Sequence, residues 1–176
     1  MVRFQRQPPG TAVTRASLLV GGGLAALAAW SIVAGDRVPA AALAGVSGLL
    51  LLIGTHRANH GAGGPVDRML GELLDRAWDG AVLAPIAWVL RTDEPTIAAA
   101  ALVALCASSL SSYVRARGAA LHYSVEESHV TRGLRYALVT AGLAIDGLAV
   151  ALWAAAAVSL LAVLVRTSQV AKEERA

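Results

Sequence analysis

The chain reads as an all-α polytopic membrane protein with six spans, and three observations predict this. Of its 176 residues, 56% are hydrophobic and only 15% are charged, whereas a soluble domain is about 45–50% apolar and about 25% charged. Six apolar stretches follow one another with short loops between them, at about 20 residues per crossing. Of the 15 lysine and arginine residues, all but Arg37 and Arg91 fall on one side of a six-span arrangement. Under the positive-inside rule, that side is cytoplasmic and holds both termini and every polar cluster.

The spans are expected at 16–35, 38–54, 77–90, 96–114, 134–145 and 148–165. The third is short in apolar residues and reaches spanning length only if its helix starts back near Asp67 or Gly71. The fifth extends back in the same way toward Thr131, and Asp146-Gly147 makes a tight turn before the sixth. The organisation expected is a cytoplasmic N-terminal tail at 1–15, a six-span domain at 16–166 and a cytoplasmic C-terminal tail at 167–176. Arg3, Arg6 and Arg15 before an apolar run imitate a signal peptide, but no Ala-x-Ala site leads to a soluble domain, so the first span is read as retained. The location expected is a bacterial plasma membrane, because Lys172 is the only lysine and arginine, alanine and glycine dominate, as in a GC-rich genome.

Composition also excludes several classes. The basic charge lies in short membrane loops, so nucleic acid is not an expected partner. Cys106 lies alone in an apolar run and is read as a packing residue. His56 and His60 are four apart but lack a His-Glu-x-x-His pattern, and Gly61, Gly63 and Gly64 lack the lysine of a phosphate loop. Ser108, Ser109, Ser111 and Ser112 are read as aids to helix packing.

Two clusters remain. Asp75 and Asp79 are one helical turn apart and share a face, which Asp67 and Gly71 extend backward, while Glu72 and Arg76 are spaced to pair on an adjacent face. Such a stripe holds a divalent metal through oxygen ligands, or its carboxylates pair with nearby arginines at the cytoplasmic interface; both readings stand. The second cluster is Arg115, Arg117, Arg132 and Arg135. Guanidinium forks suit phosphate oxygens, and the same residues also serve plain topology and contact with anionic headgroups.

These residues resemble a known family. Pro8-Pro9-Gly10-Thr11-Ala12-Val13-Thr14, the Asp75-Arg76 to Asp79-Gly80-Ala81-Val82 segment, Ser112-Tyr113-Val114-Arg115-Ala116-Arg117 and Arg132-Gly133-Leu134-Arg135 are similar, in order and spacing, to the CDP-alcohol phosphatidyltransferases, nearest to the phosphatidylinositol-phosphate synthase branch of actinobacteria. The resemblance implies a helical bundle with a cytoplasmic cavity, Mg2+ or Mn2+ held by aspartates over a CDP diphosphate, CDP-diacylglycerol as a lipid partner, and dimers. It implies Asp75 as catalytic residue, Asp75 and Asp79 as metal ligands, Arg115, Arg117, Arg132 and Arg135 around a substrate phosphate, and Gly54 as a remnant of the nucleotide side.

The family signature is Asp-Gly-x2-Ala-Arg-x8-Gly-x3-Asp-x3-Asp, and this chain departs from it. With Asp75 as the final aspartate, Gly54 matches the first glycine, Ile53 and Gly71 replace aspartates, Asp67 replaces the second glycine, and Leu50 replaces a further aspartate upstream. A second register matches Gly71, Asp75 and Asp79 literally but breaks the other matches. In both, the second span carries no carboxylate. The expectation is a weakened or inactive member linked to phospholipid biosynthesis, alone as a homodimer or paired with an active paralogue. Two alternatives stand beside it. One is an active phosphotransferase whose metal site is rebuilt from Asp67, Glu72, Asp75 and Asp79. The other is a small transporter-like helix bundle.

Overall fold

The structure, a computed structural model, describes residues 10–123 and 129–173. Arg3, Arg6, Pro8, Pro9 and Arg175, used in the sequence reading, lie outside them. The described residues form six helices: α1 (Thr11–Ala34), α2 (Arg37–Arg57), α3 (Pro65–Leu90), α4 (Pro95–Ala120), α5 (His129–Ala144) and α6 (Leu148–Glu173). The chain is an all-helical polytopic membrane protein. By length and composition, the helices over Thr11–Ala34, Arg37–Ala62, Pro95–Ala120 and Leu148–Lys172 are each sufficient to cross a membrane. Helix α3 is long enough too, because its 26 residues extend about 39 Å at 1.5 Å per residue, but it carries a polar stripe. The helices run past the apolar stretches: α1 begins at Thr11, α3 at Pro65 and α5 at His129, while α2, α4 and α6 run on to Arg57, Ala120 and Glu173. Apolar length marks the hydrocarbon-crossing part of a helix and misses the turns that continue past it.

Local chemistry sets the helix ends. Gly35 adopts a left-handed φ of 85° and its N–H returns to the Ile32 carbonyl, while Asp36 N–H bonds the Ser31 carbonyl at 2.9 Å; this closes α1 as a glycine C-cap does. Pro65 and Pro95 occupy the first turns of α3 and α4, where the missing N–H costs nothing. Between α2 and α3 the chain forms a π-type turn at Ala58–Ala62 that is broken by Gly61 at φ 89°. The turn expected at Asp146-Gly147 is present, with Asp146 itself left-handed.

Small side chains hold the bundle together. Ala25, Ala28, Ala40, Ala44, Ala100, Ala104, Ala155 and Ala156 are all buried, and such residues let helix backbones approach closely where apolar lipid removes any hydrophobic drive. The most extensive helix pairs are α1 with α2 and α4 with α6. Trp78 is the large exception. It is fully buried, donates its indole N–H to the Ala44 carbonyl at 3.2 Å, and lies on the Tyr136 ring with centroids 4.0 Å apart. One side chain of α3 thereby ties α2 and α5 together.

The two ends of the bundle differ. Trp30, Trp88 and Trp153 are all exposed and lie at the end of α1, the end of α3 and the start of α6, one common rim. Exposed tryptophans favour the headgroup level. The opposite end collects the acidic and arginine residues described next.

The tightest joint lies between α5 and α6. A Cβ built on Gly142 would meet the Ala151 Cβ at 2.5 Å and the Leu148 Cα at 3.2 Å. Gly142→Ala should therefore lower stability by about 1–3 kcal/mol through overpacking, read as a lower thermal midpoint of the purified protein, while Gly23→Ala, inside α1 with open space around it, should not lower the midpoint, since alanine is the better helix former.

Candidate functional site

The inward face of α3 is a stripe with four-residue spacing: Asp67, Gly71, Asp75 and Asp79 all point into the bundle, and the three aspartates are buried. These four residues do not converge on one point. Asp67 lies at the first turn, where its carboxylate accepts the Gly64 N–H at 2.7 Å and Arg15 Nε at 2.5 Å. Asp75 and Asp79 lie two and three turns deeper, against α5. Asp75 Oδ1 is 3.1 Å from Arg132 Nε and 3.8 Å from Arg135 Nη2, and it also accepts the Tyr136 hydroxyl. Asp79 Oδ1 accepts Arg135 Nε at 2.8 Å, with Ser108 as a further hydrogen-bond partner. Of the two readings open for this stripe, the structure displays arginine pairing. It is a buried network, not a rim contact, since none of Asp75, Asp79, Arg132 and Arg135 is more than 8% exposed.

Glu72 does not pair with Arg76 through its carboxylate as its spacing suggested. Arg76 donates to the Glu72 backbone carbonyl at 2.5 Å, and the carboxylate takes Arg115 Nη2 at 2.9 Å. The reason is reach: Arg115 approaches from α4 across the α3–α4 seam.

Three of the four predicted arginines share one cavity. Arg115, Arg132 and Arg135 line a small polar space of about 20 Å³ together with Asp75, Ser108 and Ser111. Arg117 does not line it and is exposed on α4. Two residues past Arg115, it points about 200° around the helix at 100° per residue. Arg166 of α6 does line the cavity, and its Nη1 bonds Ser111 through both the backbone carbonyl at 2.9 Å and the hydroxyl at 2.7 Å. Ser159, two turns earlier on α6, lines it too, and its hydroxyl is fully buried and has no hydrogen-bond partner. The sequence reading used Arg166 only to orient the chain. The seven-residue spacing of Ser159 and Arg166 on an otherwise apolar helix was the available signal. Tyr136 carried no signal, being one aromatic in an amphipathic helix.

Gly54 and its neighbours form a closed seam. Gly54 is buried, and a Cβ there would lie 2.7 Å from Leu18 Cδ2. A Cβ on Gly71 would lie 3.0 Å from the Thr55 hydroxyl. Ile53, aligned with the first signature aspartate, is 43% exposed and faces out of the bundle. The inward positions of α2 at this depth are Leu51, Gly54 and Thr55, so helical phase excludes position 53 from the cavity.

No family model matches the chain. The phosphatidylinositol phosphate synthase of Corynebacterium glutamicum is 34% identical over 176 residues, covering 94% of this chain and 78% of that protein. The chain belongs to the CDP-alcohol phosphatidyltransferase family. The fold agrees. The Mycobacterium tuberculosis phosphatidylinositol phosphate synthase in apo form superposes with a TM-score of 0.75 at 21% identity, over 91% of this chain and 95% of that one. The same enzyme with CDP-DAG bound gives 0.76 at 21% identity over 89% and 85%, and in complex with manganese and citrate 0.76 at 21% over 92% and 88%. The phosphatidyltransferase membership connects the chain to phospholipid biosynthesis and takes the place of the transporter-like alternative.

The buried network makes a direct prediction for this phosphatidyltransferase-family bundle. Removing one partner strands a charge, at a cost of about 3–5 kcal/mol. Asp79→Ala and Arg135→Met should each lower the thermal midpoint sharply, and the double variant should lose less than the sum of the two. Strictly additive losses in that double-mutant cycle would show that the pair is not coupled.

Proposed function

We propose that this chain is a weakened or inactive CDP-alcohol phosphatidyltransferase that binds the phosphate of a lipid substrate and does not complete the metal-dependent transfer. The observation that carries the reading is the state of Asp75 and Asp79. The resemblance assigns them to a divalent ion, yet each is engaged by arginine, and Asp75 by Tyr136 as well. Among the described residues, no group of three or more His, Cys, Asp or Glu side chains is placed to hold a metal. Hard divalent cations want several oxygen ligands, so the residues present do not fit Mg2+ or Mn2+. The rebuilt-site alternative needs Asp67 and Glu72 to join them, and those carboxylates are held by Arg15 and Arg115. The closed seam at Gly54 and Gly71 argues the same way, since Leu18 and Thr55 fill the space that the signature's middle aspartate would need at position 71.

The family relatives that bind CDP-DAG and manganese support CDP-diacylglycerol as the lipid class presented to this cavity, with the diphosphate meeting arginines in place of metal. Homodimers, or a heterodimer in which an active paralogue supplies the chemistry, belong to the same proposal. So does placement in a bacterial plasma membrane with both termini cytoplasmic, which the basic asymmetry and the single tryptophan rim support.

The deciding experiment is CMP release from CDP-diacylglycerol by purified protein, with Mg2+ or Mn2+ and a panel of polyol and polyol-phosphate acceptors. No release above the protein-free control is expected, and neither Mn2+ nor a chelator should move the thermal midpoint, because an ion that does not bind the folded state cannot stabilise it. Manganese-dependent CMP release would establish the active reading. Separately, a periplasm-active reporter fused after Ala176 should stay silent.

A further inference from the structure

Three imidazoles meet at the end of the bundle opposite the tryptophan rim, and none of them lines the arginine cavity. His56 lies in the last turn of α2, His60 in the π-type turn that follows, and His129 opens α5. The His56 and His60 rings stack with centroids 4.1 Å apart, and the His129 ring meets His56 edge-on at 6.1 Å. His56 and His60 are exposed and His129 is half-buried. Spacing in the sequence linked only the first two; the packing of α5 on α2 adds the third ring. A hydrogen bond fixes the tautomer of His60. Its Nδ1 lies 2.8 Å from the His56 carbonyl oxygen. A carbonyl only accepts, so Nδ1 carries the proton and Nε2 of the neutral ring keeps its lone pair. Metal-binding imidazoles almost always show this arrangement, with the other ring N–H given to a backbone carbonyl or a carboxylate. The backbone is irregular at the same place, with His60 at φ −104° and ψ 33° and Gly61 at φ 89°, and π-type turns frequently accompany functional sites.

We infer that His56, His60 and His129 form a site for a divalent transition-metal ion such as Zn2+, which ties the end of α2 to the start of α5. Neutral imidazole is a ligand that such ions favour, and three imidazoles with water in the fourth position make an established zinc environment. The same donors suit Mg2+ and Mn2+ poorly, since those ions favour oxygen ligands. The site is therefore chemically separate from the aspartate stripe of α3. The rings touch one another without surrounding one point: among the described residues, no three such side chains are already placed to hold an ion. Binding draws the rings inward by rotation of their side chains, which the exposure of His56 and His60 permits. His56 and His60 chelate from one segment, and His129 makes the site a clamp between two helices. Arg132, three residues into α5 from His129, lines the arginine cavity, so the ion fixes the first turn of the helix that carries this arginine.

The test uses full-length protein in detergent, with any affinity tag removed and metal dialysed away. Calorimetric titration and the thermal midpoint are read with ZnCl2, NiCl2 and MnCl2. Zn2+ and Ni2+ should bind and raise the midpoint, as an ion that binds only the folded state does, while Mn2+ at the same concentration should not. His56→Gln, His60→Gln and His129→Gln should each weaken Zn2+ binding by about tenfold or more, at least the loss that follows removal of an outer-shell partner. His129→Cys, which restores a zinc ligand, should recover binding that His129→Gln loses; this separates ligand loss from a disturbed fold. His122→Gln, at a histidine that no described ring contact joins to the three, should bind as wild type does. Wild-type Zn2+ affinity in His129→Gln would overturn the clamp. An equal loss in His122→Gln would show binding to scattered surface imidazoles and overturn the site, and so would Mn2+ binding as tightly as Zn2+. The inference is independent of the activity reading, which CMP release decides.

Discussion

A charge taken to membrane depth must be matched, and the half of this bundle opposite the tryptophan rim is organised by that requirement. Helix α3 brings Asp75 and Asp79 inward. Helix α5 answers with Arg132 and Arg135, one turn apart, and with the Tyr136 hydroxyl. Neither helix could bury these groups alone, so each fixes the position of the other. Trp78 and Tyr136 lock the same pair of helices by stacking immediately beside the charges. Desolvating an ion pair is costly, and good geometry with additional hydrogen bonds is what offsets the cost. Here the supporting bonds come from Tyr136 and Ser108.

The same network is what supports the proposed loss of metal-dependent transfer. A divalent ion and a guanidinium group both neutralise a carboxylate, but they act differently. A metal exchanges ligands and polarises a bound phosphate. A guanidinium donates hydrogen bonds in a fixed plane and is held in place by its own helix. On the proposed reading, a site whose carboxylates are held by arginine would bind an anion without activating it. The seam between α1, α2 and α3 follows suit: with no ligands to converge there, Leu18 and Thr55 fill the space, and the glycines at 54 and 71 serve close packing.

Much of this was legible in the sequence. Hydropathy and basic asymmetry defined the class and the helix order, and the four-residue spacing of Asp67, Gly71, Asp75 and Asp79 identified the inward face of α3. Helix ends were less legible, because polar turns such as 65–76 continue a helix with no apolar signal. Arg117 was grouped with Arg115 by proximity in sequence, where helical phase separates them. Ile53 was placed by alignment, and phase turns it outward. Arg166 and Ser159 join the cavity through long-range packing of α6 on α4, signalled only by their seven-residue spacing, and Tyr136 joins the buried carboxylates through packing of α5 on α3, which no local pattern encodes.

The α5–α6 hairpin has a mechanical consequence. The two helices are pressed together at Gly142 and Ala151, and both line a groove toward the end opposite the tryptophan rim. The closest contact of the pair therefore lies near one end of it. The groove's Thr131 lies about 16 Å from that contact along α5, at 1.5 Å per residue from Gly142. A change of packing at that contact would tilt one helix against the other and reach, along that lever arm, the arginine cavity beside the groove.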